Sequence, residues 1–391
     1  MTATWNLDQR QFWLHGQHPA EPVSFDEAGG LWNVHGHREA VHALSDPKTF
    51  SSNIGELIPE ENPFADGNLM QMDPPDHSKL RKLVSRAFTP KVVADLEPRI
   101  RALTHELLDG VGGDRWELVE GLAYPLPVIV IAELLGVPSS DRHLFRRWVA
   151  GMLQQSQEFS FAEPTAERER ETEAALDQMR QLTDYLGEHA AERRKQPRED
   201  LLSELVCAEV DGERLRDAEV VNFANLLLIA GHITTTLLLG NTVLCLDAHP
   251  QARAAVLADR AKVPAAIEES LRFLSPFATL ARRTTCETSL GERTIPAGQL
   301  LMVWIAAANR DPARFAEPDA FDIERDPNPH LAFGRGVHFC IGAPLARLEG
   351  RVALNVLCDR FPGLRTDPDD PPTFHPNPYM TGVSALPLLN S

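Results

Sequence analysis

The sequence predicts a mainly α protein, a single large helical domain over residues 1–391 with small β-sheets. Three observations carry this. An apolar stretch of helical character runs from near Asp217 towards Asp247 and at 1.5 Å per residue would span roughly 45 Å, enough to cross a whole domain. Strand signals concentrate in one region, from about Arg282 to Val303, where Thr, Ile and Val runs are broken by Gly291 and by Pro296 to Gly298, as in hairpins. A length of 391 residues alone would allow two or three domains, yet no internal repeat and no flexible linker divides the chain.

Taken in order, residues 1 to about 70 mix turn signals with short apolar runs, and Gly55 to Asn68 read as loop, rich in Pro, Gly, Asp and Asn. Asp73 is placed to cap a helix, with Pro74 and Pro75 in its first turn. Leu80, Leu83, Val84, Ala87 and Phe88 then recur at three- and four-residue steps, the pattern of an amphipathic helix. Residues 91–190 read as helical, punctuated by Pro125, Pro127 and Pro138. A further helix carries the run from Ala265 to Leu274. An irregular Pro-rich segment spans Asp311 to Phe333, and a last helix begins after Gly342.

Lys plus Arg number 38 against 56 Asp plus Glu, a net charge of −18, which argues against coating nucleic acid with basic surface. The N-terminal residues contain Asp8 and Arg10 and no long apolar run, so a signal peptide is not expected. His232, Asn241 and several threonines interrupt the apolar stretch from Asn225 to His249, which reads as a buried helix rather than a membrane span. Five scattered cysteines, Cys207, Cys245, Cys286, Cys340 and Cys358, fit a reducing compartment better than a disulfide framework.

The segment beginning at Phe333 is the most informative. Cys340 sits just before a helix start, where unpaired N–H groups favour a thiolate. Gly334, Gly336 and Gly342 let the backbone turn sharply and approach something flat or bulky, and Phe333 is placed to cover the sulfur. Residue types alone leave four readings open: a structural cysteine, a nucleophile with His338 as its base, a zinc ligand lacking a second cysteine at short spacing, or a thiolate ligand to haem iron.

The spacing Phe333, Gly334, Gly336, His338, Cys340 and Gly342 resembles the haem-binding signature of the cytochrome P450 family. Other positions are similar to that family in the same order. Glu269 and Arg272, three apart on a helix, match its Glu-x-x-Arg pair, and Arg325 matches the arginine that completes this structural cluster. A surface ion pair of the same spacing would contribute little. His77 and Arg81, one helical turn apart, match the partners of one haem propionate. Arg282, with Arg283 as the neighbouring alternative, and His338 match those of the other. Ala230 to Thr235 match the helix that crosses the haem: Gly231 would permit a local opening, and Thr234, with Thr235 beside it, would steer protons to dioxygen. Ala346 would also border the haem. The match breaks at Ile233, where the family commonly has Asp or Glu, so Thr235, His232, water or substrate hydroxyls would have to replace that acid.

The resemblance implies a triangular, mainly helical cytochrome P450 fold of the soluble bacterial branch, holding one haem b with Cys340 as its iron ligand. It implies a cytoplasmic monomer without membrane attachment or nucleic acid. The activity implied is a monooxygenase that uses O2 and takes electrons from NAD(P)H through ferredoxin and ferredoxin reductase. Leu226, Leu227, Ala230, Phe277, Ala278, Leu280, Thr381 and Val383, with the loop from Leu57 to Met70, would form a pocket for a sizeable apolar substrate, a polyketide or macrolide by analogy with the branch. Lys79, Arg81, Lys82, Arg86, Arg347 and Arg351 would offer a basic face to an acidic ferredoxin. Ile233 also keeps open a haem-thiolate enzyme of other chemistry: peroxide-driven oxidation, oxidative coupling or dehydration. A haem-based carrier or sensor and a haem-free cysteine hydrolase are the remaining alternatives.

Overall fold

The computed structural model describes residues 5, 7–57, 66–141, 143, 144, 148, 166–210 and 212–390. Residues 58–65 of the expected pocket loop lie outside that set. Near the N-terminus, β1 (Val23–Asp26) and β2 (Leu31–Val34) form a hairpin, followed by α1 (His37–Ser45) and the short β3 (Phe50–Ser51). The remaining elements named here are α2 (Asp76–Val84), α3 (Glu97–Asp109), α4 (Pro125–Leu135), α5 (Ala166–Lys195), α6 (Asp217–Ala248), α7 (Val263–Phe273), β4 (Leu280–Thr284), β5 (Leu300–Val303) and α8 (Ala343–Arg360).

α6 is the axis of the molecule. It is apolar on nearly every side, as a helix surrounded by protein must be. By length and composition it could cross a membrane, but 72% of its most apolar window is buried inside the protein. α4, α5, α7 and α8 all pack on it. One continuous hydrophobic core runs through these helices and includes residues from Leu7 to Leu388.

The five strands form one sheet in the order β1–β2–β5–β4–β3. β2 and β5 pair in parallel, with Trp32 opposite Leu301, and β5 and β4 pair antiparallel, with Leu301 opposite Arg282. The expected hairpin is therefore two nested ones: Thr288–Leu290 and Arg293–Ile295 pair at the tip, and β4 and β5 pair below them. A second small core under this sheet holds Val34, Phe50, Leu301 and Val303.

Three details depart from the sequence reading. Helix α2 begins at Asp76, not in the Pro74–Pro75 pair. The Asp73 carboxylate does not cap it; it accepts bonds from Ser51 Oγ and from the Ser52 N–H (2.9 Å) instead. The stretch 91–190 contains a short strand, Arg115–Glu117, which pairs with Pro387–Leu389 near the C-terminus, a partner no local pattern reveals. Finally, α6 continues unbroken through Gly231. The hydroxyls of Thr234 and Thr235 donate back to the carbonyls of Ala230 (2.8 Å) and Gly231 (2.9 Å), satisfying them within the helix.

Candidate active site

Cys340 lies in the loop that leads into α8. Its N–H donates to Phe333 O at 2.9 Å, which closes the loop on itself. Gly336 is required here: its φ is +72°, and a Cβ would stand 2.5 Å from the Leu44 carbonyl oxygen. Gly342, by contrast, has an ordinary φ of −82°. Burial pushes the Cys340 thiol up, while the N–H groups of Gly342 and Ala343 at the start of α8, and the charges of Arg81 and Arg347, act the other way. These are donors aimed at a thiolate.

Phe333 is held by the Arg347 guanidinium, 4.5 Å from its ring centre. Arg347 in turn makes a bidentate pair with Glu268 at 2.6 and 2.7 Å. Behind the loop, Arg272 donates to both Glu269 oxygens at 2.8 and 2.7 Å, and both side chains are buried. Arg325 Nε reaches Glu269 at 3.3 Å. The Asp322 N–H (2.8 Å) and Asn328 (3.1 Å) complete the carboxylate's partners. Glu269 and Arg272 form a fully buried pair rather than a surface one, and Arg325 joins it from a partly exposed position. It ties to the cysteine loop through Asn309, whose carbonyl accepts from Arg272 (3.0 Å) and whose side chain accepts from the Leu331 N–H (2.7 Å).

A cavity of about 240 Å³ runs from this loop to α6. On one wall stand Phe333, Gly334, His338, Cys340, Gly342 and Ala346, and on the other Leu226, Leu227, Ala230, Gly231, Thr234 and Thr235. Phe277, Leu280, Arg81 and Arg282 also line it. Three expected pocket residues do not reach it. Ala278 is fully buried, and its N–H is bonded to Tyr379 O. Thr381 is spent on Gln11, 3.2 Å from its hydroxyl. Val383 packs under α6, so close that a Cβ on Gly240 would meet it at 2.5 Å. Conversely, the sequence reading missed Phe223, Ile131, Pro276 and Glu349, which do line the cavity.

The residues expected to meet a dianionic group have no anionic partner in contact, and His77, 1% exposed, has no hydrogen-bond partner at either ring nitrogen. Its ring centre lies 4.2 Å from that of His338. His338 is hydrogen-bonded to Ser52 Oγ at 2.9 Å, and burial, then the charges of Arg282, His77 and Arg81, hold it down to about 3. Arg282 is 5% exposed and donates to the Ala281 carbonyl; burial lowers it to about 10. Among the described residues the other buried arginines, Arg193, Arg272 and Arg310, each hold a carboxylate within 2.9 Å, and Arg282 alone does not. Asp73 offsets its burial only through a longer-range charge, and a buried cation with no carboxylate in contact calls for an anionic partner. Its neighbour Arg283 faces Asn53 O at 3.3 Å and does not line the cavity.

These features fit haem with its two carboxylates: a thiolate cradle, a broad apolar slot, and cations and imidazoles on one rim. The other readings of Cys340 find less support. His338 directs its hydrogen bonds to Ser52 and the Met72 backbone, away from the sulfur. Among the described residues no group of three His, Cys, Asp or Glu could hold a metal ion such as zinc.

Fold and site together define a haem-thiolate enzyme. The chain belongs to the cytochrome P450 family, whose profile matches residues 30–388. It is 43% identical over 379 residues to cyclomarin C epoxidase CymV of Salinispora arenicola, covering 96% of this chain and 94% of that protein. It is likewise 43% identical over 379 residues to the erythromycin C-12 hydroxylase of Saccharopolyspora erythraea, covering 96% and 93%. The crystal structure of HmtN, a post-tailoring hydroxylase involved in himastatin biosynthesis, superposes with a TM-score of 0.89 at 53% identity, covering 100% of this chain and 99% of that one. The chain is thus a P450 monooxygenase that uses haem b, dioxygen, a small-molecule substrate and electrons from NAD(P)H delivered by redox partners.

Proposed function

We propose that this enzyme hydroxylates or epoxidises a sizeable apolar natural product of macrolide or polyketide type. The observation that carries this is the chemistry of the cavity: its α6 wall offers Phe223, Leu226, Leu227 and Ala230, and its facing wall Pro276, Phe277 and Leu280, with hydroxyls, among the described lining residues, only at Thr234 and Thr235. Such a lining binds by apolar burial and fixes orientation with few polar contacts. Relatives that act in macrolide and other natural-product pathways support the class. Haem b, when bound, supplies the oxygen-activating chemistry. Cys340 holds its iron; His77, Arg81, Arg282 and His338 hold its carboxylates; Thr234 and Thr235 hold a proton at their hydroxyl oxygens; the leucines exclude water. A ligand library screened for the Soret shift tests the class. Apolar macrocycles should shift the band, and a response confined to small polar ligands would refute it.

A second reading rests on Ile233, 8% exposed where an acid is usual: turnover driven by peroxide, or coupling or dehydration chemistry. Turnover with ferredoxin, reductase and NADPH, set against turnover on hydrogen peroxide alone, decides between them.

We also propose a cytoplasmic monomer served by an acidic ferredoxin. The docking face is narrower than the charge pattern implies, because Arg347 pairs with Glu268 and Arg351 with Glu97 at 2.6 Å, while Arg81 turns inward to Phe339 O at 2.5 Å. Lys82 remains exposed, Lys79 is exposed but lies 4.0 Å from the Asp76 carboxylate, and Phe339 is 40% exposed. Reversing Lys82 should slow electron transfer and blunt its salt dependence. Reversing Arg347 would instead break the Glu268 pair behind Phe333.

A further inference from the structure

One stretch of the cavity wall is a single turn of chain. Leu69 and Met70 both line the cavity. Leu69 is buried, while Met70 is 48% exposed, so this stretch stands between the cavity and solvent. The turn is held locally by Asn68, whose side chain accepts from the Met70 N–H at 3.2 Å and whose carbonyl accepts from the Gln71 N–H at 2.9 Å. One turn is too short to be stable by itself, so its place depends on how the residues before it are anchored.

Those residues sit on the start of α6. Gly67 has a φ of +78° and packs so closely that a Cβ would stand 2.5 Å from the Glu219 carbonyl oxygen and 2.8 Å from the Glu219 Cα. Asn222, 6% exposed, donates from Nδ2 to the Asp66 carbonyl at 2.8 Å. Arg216 lies 3.2 Å from the Asp66 carboxylate and 3.2 Å from that of Glu219. Glu219, Asn222 and the cavity-lining Leu226 follow at three- and four-residue steps, so anchor and cavity wall share one helix face. The contacts are unequal. Arg216 and Asp66 are both exposed, and an exposed pair contributes little. The Asn222 amide and the glycine contact are what fix the chain.

We propose that Asn222 and Gly67 are positioning residues that latch the turn at 69–71 onto α6 and thereby set how large a ligand can pass Met70 into the cavity; this rests on the reading of that cavity as the substrate site. A large ligand waits for the turn to lift, and a small one does not. Lifting breaks the Asn222 bond, so removing that bond raises the lifted fraction, and the entry rate of a large ligand, by the same factor. For one neutral hydrogen bond the factor is about fivefold. Gly67→Ala acts more strongly, because its methyl would overlap the α6 backbone and its φ is unfavourable for alanine.

The test uses the full-length holoenzyme as wild type, Asn222→Ala, Asn222→Gln, Gly67→Ala and Arg216→Ala. The probes are two azoles that bind haem iron and shift the Soret band: small imidazole and large ketoconazole. In stopped flow, ketoconazole should bind about fivefold faster to Asn222→Ala and faster still to Gly67→Ala, with imidazole unchanged. Asn222→Gln keeps a donor amide and should return part of the way. Arg216→Ala should change either rate by less than about threefold. Hydrogen exchange over residues 66–71 should quicken in the same order, while α8 keeps its protection. Equal acceleration of both azoles, or faster exchange throughout the chain, would show a general loosening and overturn the proposal. Unchanged ketoconazole rates in both Asn222→Ala and Gly67→Ala would overturn it as well. A wild-type ferrous carbonyl complex without the red-displaced Soret band would instead sink the haem-thiolate reading, and the exchange rates alone would then judge the latch.

Discussion

Truncating Arg272 to alanine separates a structural cluster from a decorative one. Its guanidinium makes the two bonds to Glu269 and donates to the carbonyls of Asn309 (3.0 Å), Pro318 (2.7 Å) and Ala320 (2.7 Å). Both Arg272 and Glu269 are 0% exposed. Removing one partner of a buried pair costs about 3–5 kcal/mol, because the remaining charge is left without compensation. Three carbonyls deprived of a donor, at about 1 kcal/mol each, overlap with that cost rather than add in full, so the expected loss is about 4–6 kcal/mol. That is a large share of a total stability of about 5–15 kcal/mol. Urea unfolding followed by circular dichroism measures it. A double variant, Arg272→Met with Glu269→Gln, removes both charges and should cost less than Arg272→Ala. The consequence for the site is specific: the Asn309–Leu331 link loosens, and the loop that carries Cys340 should hold haem less tightly. If Arg272→Ala costs under about 1 kcal/mol, or the double variant equals the sum of the two single changes, the cluster does not act as described.

Arg282→Leu should move two quantities in opposite directions. Haem-free protein should gain about 1–4 kcal/mol in urea as a buried charge without a contacting carboxylate disappears, while haem transfer to apomyoglobin should speed up about 10–100-fold for a lost charge-assisted bond worth about 1.5–3 kcal/mol; equal stability and equal transfer would refute the carboxylate-partner role. Gly336→Ala must give up a φ of +72° and clear the Leu44 carbonyl at 2.5 Å, costing about 1–3 kcal/mol, so its Tm should fall; an unchanged Tm would show that the loop yields freely. His232 is 1% exposed, and burial holds it down to about 4. Its stabilising contribution is therefore complete above its unfolded pKa of about 6.5 and drains away as pH falls towards 4. The loss is on the order of 3 kcal/mol at about 1.36 kcal/mol per unit. His232→Phe should flatten stability between those two pH values, and an unchanged slope would assign the pH dependence to other groups.

The sequence disclosed most where one side chain or one period carries the information. Helix α6 was legible because its apolar residues leave no solvent face, and the cysteine loop because six spaced positions define it. Contacts across long sequence distances were not legible. Nothing local announces that Arg115–Glu117 pairs with the C-terminal strand, or that Asp73 would leave its helix start for Ser51 and Ser52. Thr381 and Val383 were placed in the cavity by position along the chain, but Gln11 and α6 claim them. Glu349 left a readable trace: a lone acid on the apolar face formed by Leu345, Leu348 and Val352 is the kind of buried polar residue that needs a reason.

Charge compensation sorts the basic residues better than their clustering does. Arg347 and Arg351 belong to the same basic set as Lys82, yet each ends in a carboxylate pair, so their charge is spent on fixing α8 and the loop before it. Arg282 has no carboxylate in contact and lines the cavity, which is why its charge suits the carboxylate role proposed for it. The same reasoning applies with the sign reversed to the carboxyls. Glu268 and Glu269 are both matched by arginines and hold structure, while Glu349 is matched by none and burial pushes its carboxyl up to about 8.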